Sequence, residues 1–268
     1  MKILRLITII LFISGFFMVN VAFADAVFDD SSVSTGLIKI NYVSDTTAKV
    51  KVMIEKDGKR YTYDLLHNGT VENFPLPLGS GTYKISIVEN TTGNSYRLIN
   101  SVTLNALIVD INSPFLNSIQ NINWNVDSKA IAKAVELTKG TTDIRKKAEI
   151  LWKYMAKNYK YDFNKLSTLT SSYIPVIDKT LIDKTGICYD FSSLFAAMLR
   201  SQGIPAKLIK GYAPKMAAGY HAWNEVYDKS LGKWIVIDST YDLQVIAKYP
   251  KLATMMKKTS DYQEIFEY

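Results

Sequence analysis

Cysteine and histidine are the scarce residues of this sequence: it has one cysteine, Cys188, and two histidines, His67 and His221. A single cysteine cannot form an internal disulfide, so a disulfide-stapled fold is excluded and the thiol needs another explanation. His67 stands beside an Asn-Gly pair in a predicted turn, with no second histidine or cysteine nearby to complete a metal site. The sequence therefore predicts neither a bound metal nor a cofactor.

Runs of one charge and low-complexity tracts are also missing from the chain. Apolar residues make up 48% of it and charged residues 21%, which is the composition of a folded globular protein. No basic tract carries interleaved aromatic residues, so we do not expect nucleic acid as a partner. A length of 268 residues favours two domains, each able to bury its own core.

One long apolar run lies at the N-terminus. Two basic residues, an apolar stretch that ends at Phe17 and an Ala-x-Ala motif that ends at Ala24 have the three-part layout of a signal peptide over residues 1–24. The alternative is a single membrane anchor, which needs about 20 apolar residues. Asn20 and the Ala-x-Ala motif count against that alternative, so we expect cleavage after Ala24.

Export has consequences for charge and location. The cleavage removes two basic residues and no acidic ones, so the formal net charge falls from +7 to +5, a modest excess that favours solubility. No cysteine follows the apolar run and no apolar tail ends the sequence, so we expect no lipid anchor and no stable membrane anchor after cleavage. The expected location is extracellular, either free or associated with the cell surface.

Residues 25–109 have the pattern of β-strands. Apolar and polar residues alternate over 36–43, 48–55 and 82–88. Turn signals punctuate these runs, and they are listed here together: Asp57-Gly58, Asn68-Gly69, Gly79 to Gly81 and Gly93-Asn94. The spacing predicts an antiparallel β-sandwich of immunoglobulin-like type as the first domain.

Residues 110–268 are predicted to form an α+β domain. Helical periodicity covers 127–138 and 141–158, and it returns strongly over 188–202, where Gly and Pro follow. The polar stretch 162–183 is predicted to be a long surface loop that could line a substrate groove. Strands follow at 206–212, 220–227 and 233–240, so a helix precedes an antiparallel sheet.

Cys188 lies in the first turn of its predicted helix. A helix N-terminus supplies partial positive charge and free N–H groups, which favour a thiolate. The same donors, the N–H of Cys188 among them, could hold the oxyanion of a tetrahedral intermediate. The alternative is a small buried apolar cysteine, which is the commoner fate of a cysteine.

A nucleophilic thiol needs a base, and His221 is the plausible partner because His67 lies in the other domain. If a hairpin loop spans 228–233, His221 and Asp238 are diagonal neighbours on one face of the sheet, about 7–8 Å apart. A shift of register by one residue would separate them. Taken alone, His221 could be a core histidine, and Asp238 could pair with Lys233 or cap a turn.

Five segments resemble the transglutaminase-like core in content and order. They are 185–194 (TGICYDFSSL), 199–206 (LRSQGIPA), 211–212 (GY), 221–226 (HAWNEV) and 234–240 (WIVIDST). Upstream, 154–162 (YMAKNYKYD) looks like the helix end before the active-site loop of that family, so the resemblance spans about 148–241. It implies a papain- or transglutaminase-like fold, in which the helix that carries the cysteine packs on an antiparallel sheet.

By this resemblance, Cys188 is the nucleophile, His221 the general base and then acid, and Asp238 the acid that orients the imidazole. In that family an aromatic residue upstream of the cysteine supports the oxyanion, and Tyr161 or Tyr159 is the candidate here. The order Cys, His, Asp is a known arrangement of a catalytic triad.

Other positions of the resemblance have more than one interpretation. Trp223 and Trp234 could wall an acyl tunnel, although aromatic residues at strand spacing are more often core. Asp190 and Glu225 are expected to make helix-start and strand contacts. Ile187 is a departure, since the family usually has a polar or charged residue before the cysteine. No acidic loop has calcium-ligand spacing, so calcium dependence is not implied.

Two functions remain open. One is a secreted thiol acyltransferase or amidase that acts on glutamine side chains or peptide amides of a protein, a peptide or a cell-wall partner. Whether an amine or water takes the acyl group is not determined by the sequence. The other is a non-catalytic surface or cell-wall binding protein with an inert transglutaminase-like domain. The presence of all three triad residues favours the enzyme.

Overall fold

The computed structural model describes residues 25–170, 172–213 and 219–268. The predicted signal peptide, residues 1–24, lies outside these ranges. The described chain is a mixed α/β structure in which every sheet of three or more strands is antiparallel, as the sequence predicts. Within these ranges, no helix has both the length and the apolar character needed to cross a membrane.

Seven strands form the first part of the fold. They are β1 (Asp25–Asp29), β2 (Leu37–Val43), β3 (Val50–Lys56), β4 (Lys59–Asp64), β5 (Asn68–Pro75), β6 (Gly81–Thr92) and β7 (Ser95–Ala106). They pair in two sheets of order β1-β2-β5 and β4-β3-β6-β7. Alternate side chains of both sheets, such as Ile40 and Val52, are fully buried in one core. The predicted β-sandwich is confirmed.

The turn signals of this sandwich have two outcomes. Asp57 and Gly58 connect β3 to β4 with positive φ at both residues, 50° and 78°, the geometry of a tight hairpin turn. The turn predicted at Asn68-Gly69 is wrong, because the ladder between β2 and β5 continues to the pair Val43 and Asn68. Nδ1–H of His67, the residue just before it, donates a hydrogen bond to the backbone carbonyl oxygen of Ser44 at 3.1 Å.

The second part alternates helices and strands. Its elements are α1 (Lys129–Thr138), α2 (Ile144–Asn158), β8 (Lys160–Tyr161), α3 (Phe163–Thr168), α4 (Ile177–Asp183), β9 (Thr185–Gly186), α5 (Cys188–Arg200), β10 (Ala206–Tyr212), β11 (Tyr220–Asp228), β12 (Lys233–Ile237), α6 (Ser239–Val245) and β13 (Gln263–Glu267). A sheet of order β12-β11-β10-β13 supports α5. Because α5 is buried on all sides from Asp190 onward, it is the central helix of this part.

Two predictions about this part need correction. The stretch 162–183 is not one long loop: it contains α3 and α4, helices of only 6 and 7 residues, which are too short for a clear helical period. The strand predicted over 233–240 ends at Ile237. Asp238 instead caps α6, because its side chain accepts a hydrogen bond from Tyr241 N.

The sandwich and the second part share a continuous core. Tyr61 and Tyr63 on β4 pack edge-on against Tyr268, with ring centroids 5.9 and 5.8 Å apart. Tyr61 also meets Phe266 of β13 at 5.8 Å. The segment after Tyr241, in which the sequence shows no clear pattern, therefore supplies an edge strand and the contact between the two parts.

Candidate active site

Cys188 is the first residue of α5, after the N-cap residue Ile187. Its thiol is free and partly exposed. The N–H of Cys188 belongs to the first turn, where backbone donors have no partner inside the helix. The predicted position at a helix start is confirmed, and this position favours negative charge on sulfur.

The start of α5 is fixed by Asp190, which is fully buried. Its Oδ2 atom accepts hydrogen bonds from Ile187 N at 2.9 Å and from Lys165 Nζ at 2.7 Å. The hydroxyl of Tyr173 donates to the other carboxylate oxygen. Asp190 therefore makes the expected helix-start contact. An apolar Ile187 is tolerated before the cysteine because its backbone N–H, and not its side chain, makes this bond.

His221 and Asp238 meet through the hairpin of β11 and β12. The predicted register is confirmed where the strands pair, since Tyr227 pairs with Trp234 and Glu225 with Val236. The ladder ends at Ile237, so Asp238 is not the strand neighbour of His221 that was predicted. Asp238 follows β12 directly, and its Oδ2 atom lies 2.9 Å from Nε2 of His221. Both side chains are buried, with 2% and 1% of their surface exposed, so solvent screens this pair weakly.

Charge and hydrogen bonding set the protonation of the pair. Burial alone would lower the pKa of His221, but the charge and hydrogen bond of Asp238, with a smaller contribution from Cys188, raise that pKa to about 10. Burial would raise the pKa of Asp238, but the charge of His221 and hydrogen bonds from His221, Tyr241 and Tyr262 lower it. At neutral pH the pair is therefore an imidazolium and a carboxylate.

The third member of the group is the thiol. With Nε2 of His221 bonded to Asp238, the other ring nitrogen, Nδ1, is left for Cys188, whose side chain interacts with the imidazole. The indole of Trp223 stacks on the imidazole, with centroids 6.2 Å apart and planes at 22°. The structure thus brings Cys188, His221 and Asp238 together and packs the imidazole from one side.

The two candidate tyrosines occupy different surroundings. The parallel pairing of β8 with β9 places Tyr161 opposite Gly186, two residues before the cysteine, and its hydroxyl interacts with Cys188. Burial and the neighbouring thiol raise the pKa of Tyr161, so it remains a donor at neutral pH. The hydroxyl of Tyr159 instead accepts a hydrogen bond from Lys184 at 3.3 Å.

The two tryptophans of the resemblance, Trp223 and Trp234, also lie in different places. Trp223 is 1% exposed and lies against His221 and Tyr262. Trp234 lies near the hairpin loop, against Phe115 and Tyr227, and not beside the cysteine. In the described ranges, no group of three or more His, Cys, Asp or Glu side chains is arranged to hold a metal ion.

Comparison with known proteins relates part of this chain to a family. Residues 131–239, which contain all three of these side chains, match the family model of the transglutaminase-like superfamily. This region belongs to the transglutaminase-like superfamily. A curated relative, protein YebA of Bacillus subtilis, is 29% identical across 40% of this chain and 17% of its own length. The chain therefore spans less than a fifth of that relative.

Solved structures have distant similarity to parts of the chain. A provisionally assigned cysteine protease of Cytophaga hutchinsonii is 15% identical with a TM-score of 0.45, covering 84% of this chain and 73% of that one. LapG of Legionella pneumophila is 14% identical with a TM-score of 0.39, covering 54% and 75%. Red sea bream transglutaminase is 10% identical with a TM-score of 0.33, covering 76% and 48%.

Two residues of the transglutaminase-like site were not found from the sequence. The hydroxyl of Tyr262, which lies beyond the family match, donates to Asp238 Oδ2 at 3.0 Å, and no local pattern announces this long-range contact. Lys210 lies on β10 next to the residue that pairs with His221. The sequence does contain an indication of Lys210, because it lies two residues after Leu208 on the same strand and therefore on the same, buried face.

Proposed function

We propose that this chain is a cysteine-dependent acyl-transfer enzyme that acts on the amide of a glutamine side chain or of a peptide bond. The observation that carries the proposal is the buried bond of 2.9 Å between His221 Nε2 and Asp238 Oδ2, beside a cysteine at a helix N-terminus. A thiol, a base and an orienting carboxylate are the three parts that nucleophilic acyl transfer requires.

In the proposed reaction, the Cys188 thiolate attacks the amide carbon and the C=O electron pair moves onto oxygen. The tetrahedral intermediate collapses as the C–N bond breaks, and the imidazolium of His221 gives its proton to the leaving nitrogen. A thioester on Cys188 and ammonia or an amine result. An incoming amine or water then loses a proton to His221 and attacks the thioester, which releases Cys188 as thiolate.

We assign two hydrogen-bond donors to the oxyanion of this reaction. They are the N–H of Cys188 at the start of α5 and the hydroxyl of Tyr161. Donors aimed at a developing negative charge stabilise the transition state more than the ground state. Asp238 holds the imidazole in place and is itself fixed by Tyr241 and Tyr262.

We further propose that the enzyme is exported and acts on protein or peptide partners at the cell surface. The layout of residues 1–24, with its Ala-x-Ala motif, supports export. With an amine as acceptor the product is a cross-link or a modified side chain, and with water it is a hydrolysed amide.

The test is alkylation of residues 25–268 with iodoacetamide across pH, with mass spectrometry of Cys188. An ordinary thiol reacts well only above about pH 8, because its pKa is near 8.5. We expect rapid labelling below about pH 7 in the wild type. The raised pKa of His221 keeps the imidazole charged there, so its charge holds the thiolate.

His221→Ala removes this cation, so labelling below about pH 7 should become slow while labelling above about pH 8 persists. His67→Ala is the matched control, because His67 lies in the sandwich. A wild type that labels only at high pH and is indifferent to His221 would mean a structural thiol, and the non-catalytic binding protein would become the better hypothesis.

A further inference from the structure

Lys210 is a partly buried lysine beside the nucleophile. Its Nζ atom lies 3.8 Å from the ring centroid of Tyr189, the residue that follows Cys188, and 5.1 Å from that of Tyr268. On β10 it precedes Gly211, which pairs with His221. A cation held between two aromatic faces is attracted by both rings.

The charge of Lys210 has no counterion among the described residues, where its ammonium forms neither a hydrogen bond nor an ion pair. Two other lysines near aromatic rings do have polar partners. Lys184 also lies between two tyrosine rings, but it donates to both of their hydroxyl groups. Lys207 lies on the same strand as Lys210, and its Nζ atom is 2.6 Å from Oε2 of Glu267, an ion pair. A partly buried ammonium that has aromatic faces beside it but no counterion in the described part of the chain is well placed to pair with an anion from outside the chain.

Within the described ranges, Cys188 is the residue whose charge, when it is a thiolate, acts on this ammonium. Burial lowers the pKa of Lys210 to about 8, and Cys188 partly opposes that change. At neutral pH the side chain is therefore still a cation. When Cys188 is acylated it becomes a neutral thioester, and Lys210 then has no anion at all in that part of the chain.

We propose that Lys210 binds a carboxylate of the acyl donor, so that the preferred substrate is an acidic peptide with a free carboxylate close to the amide that Cys188 attacks. The inference rests on the proposed function and adds the substrate class. Such a carboxylate pairs the ammonium before acylation and throughout the life of the thioester. The rings of Tyr189 and Tyr268 keep water from its sides, which strengthens the pairing.

Two alkylating reagents test this without knowledge of the natural substrate. Iodoacetate and iodoacetamide both transfer a two-carbon group to sulfur and release iodide, but only iodoacetate carries a carboxylate. The readout is the ratio of their rate constants at Cys188, each divided by the rate with free N-acetylcysteine. In the wild type this ratio should favour iodoacetate, and Lys210→Met should lower it by about tenfold or more, the loss typical of one charge-assisted hydrogen bond.

Lys210→Arg keeps the charge and should retain most of the preference. Lys160→Met is the matched control, because it removes one positive charge from an exposed side chain next to Tyr161. Its ratio should stay close to that of the wild type. Far-UV circular dichroism checks that each variant is folded.

Several results would overturn the inference. If Lys210→Met slows both reagents by the same factor, Lys210 acts only by stabilising the thiolate. If Lys160→Met lowers the ratio as much as Lys210→Met does, the effect is general charge and not a site. Failure of the proposed function looks different, because iodoacetamide labelling would then be indifferent to His221→Ala, whatever the ratio is.

Discussion

The hydroxyl groups of Tyr159 and Tyr161 make different contacts although the two residues are close in sequence. Both resemble the aromatic residue that supports the oxyanion in the family. Only Tyr161 interacts with Cys188, whereas Tyr159 bonds Lys184 and packs on Phe191. Substitution of each tyrosine in turn can therefore show whether the contact with Cys188 matters.

Tyr161→Phe should slow acyl transfer more than alkylation. Acylation by p-nitrophenyl acetate passes through an oxyanion, so removal of one donor should slow it on the order of a hundredfold. Alkylation by iodoacetamide forms no oxyanion and should change little. The burst of p-nitrophenolate and the mass shift of Cys188 measure the two rates.

Tyr159→Phe is the control for this prediction, and both of its rates should stay near those of the wild type. An equal loss of both rates in Tyr161→Phe would argue that this tyrosine only positions the cysteine. Equal effects of the two substitutions on acylation would contradict the assignment of Tyr161 as an oxyanion donor.

Single residues differ in how far their sequence context announces them. The juxtaposition of Cys188, His221 and Asp238 was predicted because a helix start and a hairpin register are local features. Lys210 was missed although a lysine on the face of Leu208 was a visible sign. Nothing in the local sequence indicates Tyr262, since its bond joins it to Asp238, 24 residues earlier in the chain.

At the scale of elements, β10 and β13 approach each other closely at Gly211. A Cβ atom there would lie 2.0 Å from Gln263 O and 2.9 Å from Cη2 of Trp223. The pairing of the two strands also shifts register between Lys210 and Gly211. Only glycine at position 211 leaves room for β13 to pair with β10, the strand that lies beside His221.

Gly211→Ala should therefore destabilise the protein. Backbone and indole would both have to move, and such overpacking costs about 1–3 kcal/mol of unfolding free energy. Urea denaturation followed by circular dichroism measures this loss. Since Tyr262 directly precedes β13, low-pH labelling of Cys188 should slow as well. An unchanged unfolding midpoint would mean that β13 is not held at this distance in solution.

Periodicity explains which elements the sequence predicted. α5 and the strands β10 and β11 carry long, regular patterns and were found within a few residues of their bounds. α3 and α4 were not found, because helices of 6 and 7 residues depend on tertiary contacts for stability. α4 contributes such a contact: its Asp178 carboxylate accepts from the first N–H groups of α1.

At the scale of the whole molecule, the sandwich and the transglutaminase-like part are packed through tyrosines. Tyr61 and Tyr63 contact Tyr268, and the buried side chains of both parts form one cluster. Shared apolar burial couples the stability of the two parts. We therefore expect the chain to unfold as one cooperative unit.

The four tryptophans make this testable, since all of them follow residue 109. Ile54→Ala opens a cavity in the sandwich at a fully buried position, which costs about 2–5 kcal/mol. If the parts are coupled, the urea midpoint of tryptophan fluorescence shifts downward together with that of circular dichroism.

Val71→Ala, at a side chain that is 57% exposed, is the control and should leave both midpoints in place. A tryptophan transition that does not move in Ile54→Ala would instead mean that the sandwich unfolds independently. The sequence predicted both parts of the molecule but not their contact, because aromatic residues that bridge two cores leave no periodic trace.

Asp238 makes two structural contacts, and they affect how this fold could change during evolution. One carboxylate oxygen orients His221, while the other caps α6. Replacing Asp238 would therefore remove a helix cap as well as the partner of His221, whereas Cys188, a free and partly exposed cysteine, caps none of the described helices with its side chain. If the proposed acyl transfer is correct, a descendant that keeps the fold without that activity should lose its cysteine first and its aspartate last.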